Sequence, residues 1–66
     1  MDAMLTEALG HHQSGRPREA EALYRQILEV NPDHSEALHL LGVLALQADH
    51  GDEAIRLMER SLELNP

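Results

Sequence analysis

The chain repeats itself with a period of 34 residues. The dipeptide Asn31-Pro32 recurs as Asn65-Pro66, and placing residues 1–32 over residues 35–66 gives nine identical pairs. Seven of these nine pairs fall in the second half of the unit. A fixed period of roughly 20–50 residues is typical of stacked repeat proteins, and 34 residues is the period of a helix–turn–helix unit. The sequence therefore predicts two copies of one helical hairpin.

Glycine, proline and their polar neighbours divide each unit into two helices. Ser14-Gly15-Arg16-Pro17 interrupts the first unit, and Asp49-His50-Gly51-Asp52 interrupts the second at the same place. Asn31-Pro32 ends the helix before it, because a residue that precedes proline disfavours helical backbone angles. Asp33 is predicted to cap the next helix, with Glu36 completing a capping box. The predicted helices are 2–14, 17–30, 34–48 and 52–64.

The composition and the apolar patterning agree with an all-α fold. The hydrophobic residues, 42% of the chain, are mostly Leu and Ala, and only one residue is aromatic. Helices 17–30 and 52–64 each carry one apolar stripe, whereas helix 34–48 is apolar almost all round, which predicts burial on several sides. Gly42 inside that helix predicts that a neighbouring helix approaches it closely.

The charge balance argues against two classes of partner. Five Arg and no Lys face twelve Asp and Glu, which gives a net charge of −7. Nucleic acids and anionic membranes attract basic surfaces, so neither is an expected partner. The longest nearly apolar stretch, 37–48, is too short to span a bilayer. The first residues carry no basic segment, so they do not indicate a signal peptide. Nothing in the sequence requires an oxidising compartment, and we expect a cytoplasmic location.

No residue pattern indicates catalysis or a cofactor. The chain has no cysteine nucleophile and no glycine-rich phosphate loop. Ser14, Ser35 and Ser61 lie at turns or on a helix, without a spacing that suggests a partner His and Asp. We therefore expect that the chain is not an enzyme and binds no cofactor.

The five histidines do not form a metal-binding pattern. Zinc on a helix favours two His at i and i+4 with further ligands nearby. His11 and His12 are adjacent, His34 and His39 are five residues apart, and His50 is alone in a turn. We therefore expect no metal site.

The chain resembles the tetratricopeptide repeat family over essentially its full length. In the second unit, Leu41-Gly42 and Ala45 stand at the family's first-helix positions, and Ala54 and Pro66 at its second-helix and terminal positions. The first unit matches at Ala20, Tyr24 and Pro32. The first helix of that unit departs from the pattern. The resemblance implies one all-α domain of two tandem repeats, 1–34 and 35–66, forming four antiparallel helices of a right-handed solenoid.

The resemblance also implies a protein-interaction module without catalytic activity. Family members expose a concave surface, lined mainly by the first helix of each pair, which holds peptides or helices. The matching positions here are Asp2, Leu5, Thr6, Leu9, His12 and Gln13 in the first unit, and Glu36, His39, Leu40, Val43 and Gln47 in the second. Four of these residues are apolar and lie in the middle of the predicted surface: Leu5, Leu9, Leu40 and Val43. They either form a groove or pack on each other or on an adjacent repeat.

Self-assembly is the alternative function. A stable solenoid usually needs three or more repeats, so the two repeats here are expected to be part of a longer protein. Nothing in the chain would cover the outer side of helix 52–64, and its apolar residues cannot all face inward. Copies of the chain are therefore predicted to form a homo-oligomer, end to end or by exchange of helices about residues 31–33. The residues predicted to join them are Ile55, Leu57, Leu62 and Leu64.

Overall fold

The computed structural model describes residues 3–65 of the chain, which form four helices. These are α1 (Ala3–Gln13), α2 (Pro17–Val30), α3 (Ser35–Gln47) and α4 (Gly51–Leu64). All four predicted helices are present, and the ends that fall within the described residues differ from the prediction by at most one residue. The start predicted for the first helix, Asp2, lies outside the described residues. No helix in the described part of the chain is long and apolar enough to cross a membrane.

Each helix packs mainly against the next one along the chain, and α3 lies between α2 and α4. The six buried residues of α3 are Ala37, Leu38, Leu41, Gly42, Leu44 and Ala45. The core cluster joins residues of the first three helices, namely Leu5, Ala8, Ala20, Tyr24, Ile27, Ala37, Leu41 and Leu44. The helix that is apolar on most sides is thus the central helix, as its sequence predicts.

The turns inside the two units have the same backbone structure. Gly15 and Asp49, which lie 34 residues apart, both adopt a positive φ, of 77° and 68°. The next residues, Arg16 and His50, each donate a backbone N–H to the carbonyl five residues earlier, at 2.8 Å. Asp49 therefore takes the left-handed conformation that glycine supplies in the first unit.

Gly42 brings α3 and α4 into close contact. A Cβ atom added at this position would lie 2.9 Å from Cγ of Met58 and 3.3 Å from the carbonyl oxygen of Ala54. The residue at the same position of the first unit is Ala8, whose side chain is fully buried. The prediction of a close helix approach at Gly42 is therefore confirmed.

The predicted capping box at the start of α3 is wrong. His34 is the N-cap residue, and its Nδ1 accepts a hydrogen bond from the backbone N–H of Ala37 at 3.1 Å. Asp33 instead accepts a hydrogen bond from the guanidinium of Arg60 on α4, with 2.9 Å between the two atoms. The residue that caps α3 is thus one position later in the sequence than predicted.

Removal of the histidine cap is expected to weaken the start of α3. In a His34→Ala variant, the N–H of Ala37 loses its acceptor, and the free energy of unfolding should fall by about 0.5–2 kcal/mol. His34→Asn replaces the ring nitrogen by a side-chain oxygen that can also accept this hydrogen bond, so it should keep most of the stability. Urea unfolding followed by circular dichroism compares the two variants. An equal loss in both would show that this hydrogen bond does not stabilise the helix.

Candidate functional site

The first helices of the two units, α1 and α3, are joined by a side-chain contact. Nε2 of His12 and Oε1 of Gln47 are 2.8 Å apart. The two atoms are within hydrogen-bond distance of each other. Both residues belong to the predicted groove, so the structure brings together members that lie 35 positions apart in the sequence. We call the surface of α1 and α3 that carries the predicted residues the α1–α3 face.

Tyr24 of α2 lies beneath the α1–α3 face and is fully buried. Its ring meets that of His12 edge-on, with centroids 6.4 Å apart and planes at 77°. Burial raises the pKa of the Tyr24 hydroxyl, and the negative charge of Glu36 raises it further. Among the described residues, this hydroxyl has no hydrogen-bond partner. A neutral hydroxyl with unused hydrogen-bonding capacity therefore lies next to residues of the face, and no sequence signal indicates it.

The predicted apolar groove residues differ in burial. Leu5 is 8% exposed and belongs to the core cluster, so it is part of the core rather than an accessible contact. Leu9, Leu40 and Val43 are half-buried, with Leu40 packed against the core. These three residues are therefore the partly accessible apolar members of the face, and we call them the apolar strip.

The polar members of the predicted groove lie on the same two helices. His12 is half-buried, and the exposed members are Thr6, Gln13, Glu36, His39 and Gln47. Asp2 lies outside the described residues. Among the described members, Glu36 is the one with a full charge when histidine is neutral.

A separate cleft of about 230 Å³ opens between α2, α3 and α4. Its floor includes Leu41 and Leu44, and its rim includes three charged residues. One of them, Arg25, donates to Glu21 at 2.9 Å and to Glu53 at 3.4 Å. The charges of this rim are thus paired with each other. Within residues 3–65, no group of three or more His, Cys, Asp or Glu side chains is placed to hold a metal ion.

The outer side of α4 carries most of the residues predicted to join copies. Ile55 is 57% exposed, Leu62 is 63% exposed and Leu64 is 41% exposed. Leu57, by contrast, is half-buried and packs against the core cluster, so the structure places it at the edge of the core. Leu62 lines an open depression on α4 together with Arg56, Glu59, Arg60 and Glu63.

Comparison with known proteins identifies the family. The family described as "Tetratricopeptide repeat" matches residues 11–66, and the chain belongs to that family. Two tandem helical hairpins with a 34-residue period agree with the match. The family is generally a protein–protein interaction module, and its repeats are typically non-catalytic.

One similar protein is an enzyme of much greater length. The chain is 43% identical, over 49 residues, to a probable biofilm formation methyltransferase, WspC, of Pseudomonas aeruginosa. The matched segment is 73% of this chain but only 11% of that protein. The similarity thus joins the present chain to a short part of a larger protein.

Proposed function

We propose that this chain is a non-catalytic scaffold that binds a peptide or a helix on the α1–α3 face. The observation that supports the proposal is that Leu9 in the first unit and Leu40 and Val43 in the second remain half-buried on the helices of this face. The hydrogen bond between His12 and Gln47 ties the two helices together beside it. The relative position of α1 and α3 is therefore set before a ligand binds, which lowers the entropic cost of binding.

The chemistry of the α1–α3 face suggests the kind of ligand. An amphipathic helix or an extended peptide with a few apolar anchors suits a shallow strip of leucine and valine. Basic residues beside these anchors would meet the carboxylate of Glu36 and the net negative charge of the chain. The net charge of −7 opposes nucleic acids and anionic membranes as ligands.

A designed peptide tests this function directly. The probe is a short synthetic helix with leucine on one face and arginine on the other, added to the isotope-labelled chain and followed by NMR. We expect the amide signals of Leu9, Leu40 and Val43 to shift. In a Val43→Ser variant the affinity should fall by about tenfold, because burial of a valine side chain contributes roughly 1.5 kcal/mol.

Two matched controls separate the face from general charge attraction. Val30→Ser changes a valine that is 87% exposed on another helix, and its affinity should equal that of the parent. A second peptide keeps the arginines and replaces each leucine by serine. Equal binding of both peptides would mean that charge alone attracts the probe, and the proposal would be wrong. Circular dichroism confirms folding, and Leu9→Ser replaces Val43→Ser if the latter unfolds.

Self-assembly into a homo-oligomer is the second function that we propose. It is favoured by two large apolar side chains on the surface of α4, Ile55 and Leu62, which are 57% and 63% exposed. Exposed apolar side chains that lie on one helix face commonly mark an association surface. This function uses a different side of the molecule from the α1–α3 face, so the two proposals can fail independently.

A further inference from the structure

The buried hydroxyl of Tyr24 is not explained by packing. Tyr24 is the only Tyr, Phe or Trp residue of the chain, and its side chain is fully buried. No group of residues 3–65 forms a hydrogen bond with its hydroxyl. A buried hydroxyl without a partner costs free energy, and phenylalanine would fill the same space without that cost. The core therefore accounts for the ring of Tyr24 but not for its hydroxyl.

Two neighbours place this hydroxyl beneath the α1–α3 face. The ring of Tyr24 meets the ring of His12 near the end of α1. Burial raises the pKa of the hydroxyl, and the charge of Glu36 in the first turn of α3 raises it further, so the hydroxyl lies within electrostatic range of that carboxylate. Leu9 lies one turn before His12, and Leu40 lies one turn after Glu36. The hydroxyl therefore lies beneath the part of the face that carries the apolar strip.

The protonation state of this hydroxyl indicates which chemical group it can bind. Its raised pKa means that the hydroxyl is neutral at ordinary pH, and a neutral phenol donates one hydrogen bond. The backbone carbonyl groups of an extended peptide are free to accept it, because such a peptide has no internal hydrogen bonds. In a helix, the same carbonyl groups are already bonded along the helix. The hydroxyl therefore suits an extended peptide better than a helix.

We propose that the α1–α3 face binds an extended peptide, one backbone carbonyl of which accepts a hydrogen bond from the hydroxyl of Tyr24. The proposal rests on the scaffold function proposed above and chooses between its two kinds of ligand. Leu9, Leu40 and Val43 are only half-buried, so a peptide that displaces these side chains reaches the hydroxyl beneath them. The bond forms only in the complex, so it stabilises the complex and not the free chain.

Two peptides with the same leucines and arginines but different backbones test the proposal. One is the synthetic helix described above, and the other contains prolines, which keep it extended with its carbonyl groups free. Calorimetric titration compares the parent with Tyr24→Phe. The variant should bind the extended peptide about fivefold more weakly, because one neutral hydrogen bond is lost. It should bind the helix as the parent does.

The same substitution should stabilise the chain when no peptide is present. Removal of the unpartnered hydroxyl should raise the melting temperature by roughly 4–8 °C. A lower melting temperature would mean that the hydroxyl already has a partner in the folded chain, and the proposal would be wrong.

Raman spectroscopy observes the hydroxyl without any substitution. The doublet of the tyrosine ring responds to hydrogen bonding of the phenol, and the chain has no second tyrosine to obscure it. The extended peptide, which contains no tyrosine, should change the intensity ratio of the doublet to that of a hydrogen-bond donor. The helix should leave the ratio unchanged. An unchanged ratio with the extended peptide bound would refute the hydrogen bond, even if Tyr24→Phe fails to fold.

The results also separate this inference from the function on which it rests. If neither peptide binds, the scaffold function itself is wrong. If the helix alone binds, or if Tyr24→Phe weakens both peptides equally or neither, the scaffold function stands and the role of Tyr24 is refuted. Sedimentation equilibrium of the free chain at the same concentrations separates peptide binding from self-association. A monomer at every concentration would overturn the self-assembly proposed above and leave the role of Tyr24 untouched.

Discussion

Replacement of Leu41 by alanine is expected to leave much of the protein unfolded at room temperature. Leu41 is 2% exposed, belongs to the core cluster and lies on the central helix α3. A large-to-small change at such a site costs about 2–5 kcal/mol, because the neighbours fill the space only in part. A domain of this length has a total stability of roughly 3–10 kcal/mol. Urea unfolding followed by circular dichroism measures the loss.

Leu46 provides the matched control for this substitution. It lies on the same helix but is 59% exposed, so Leu46→Ala should change the stability by no more than about 0.5 kcal/mol. Superimposable unfolding curves for Leu41→Ala and the parent would show that α3 is not the centre of the core.

A valine at Gly42 is expected to force α3 and α4 apart. Its Cβ would lie 2.9 Å from Cγ of Met58 and 3.3 Å from the backbone oxygen of Ala54, and two further methyl groups have to be placed as well. Overpacking of this kind costs about 1–3 kcal/mol, and more where backbone cannot move. The melting temperature should therefore fall clearly below that of the parent. Thermal unfolding followed by circular dichroism measures the shift.

Gly10 shows what a glycine replacement does where there is space. A Cβ added at Gly10 meets no heavy atom within 4 Å, so Gly10→Ala should stabilise α1 by up to about 1 kcal/mol through its helix propensity.

The Gly42→Val variant can be tested further by a second change in the same chain. Adding Met58→Ala should recover part of the stability lost in Gly42→Val. If Gly42→Val melted at the parent temperature, the close helix contact would not exist in solution.

Much of the architecture could be predicted from the repeat because it depends on local signals. The two units, four helices and the central position of α3 follow from periodic apolar residues and from glycine and proline. The repeat also explains why Asp49 adopts a positive φ, since it stands where the first unit has Gly15. The cap of α3 could not be predicted in the same way. Asp33 is a better capping residue by preference, but its carboxylate pairs with Arg60, 27 positions away.

The candidate site was predicted as a set of positions but not as a surface. The helix that carries each residue follows from its place in the unit, whereas its exposure depends on how closely the neighbouring helix approaches. Leu5 was expected in the groove and lies in the core, and Leu57 was expected on the outer side and packs inward. The unpartnered hydroxyl of Tyr24 is a property of tertiary packing, for which the sequence has no signal.

The pairing of each helix mainly with its neighbour along the chain also bears on how fast the protein folds. The main interhelix contacts join α1 to α2, α2 to α3 and α3 to α4, and each connection is only a few residues long. Contacts that close short loops cost little chain entropy. Helical proteins dominated by such contacts fold in roughly microseconds to milliseconds. A nascent chain of this kind can form its first hairpin before the second unit has been synthesised, which shortens the time that the leucines of α3 spend in water.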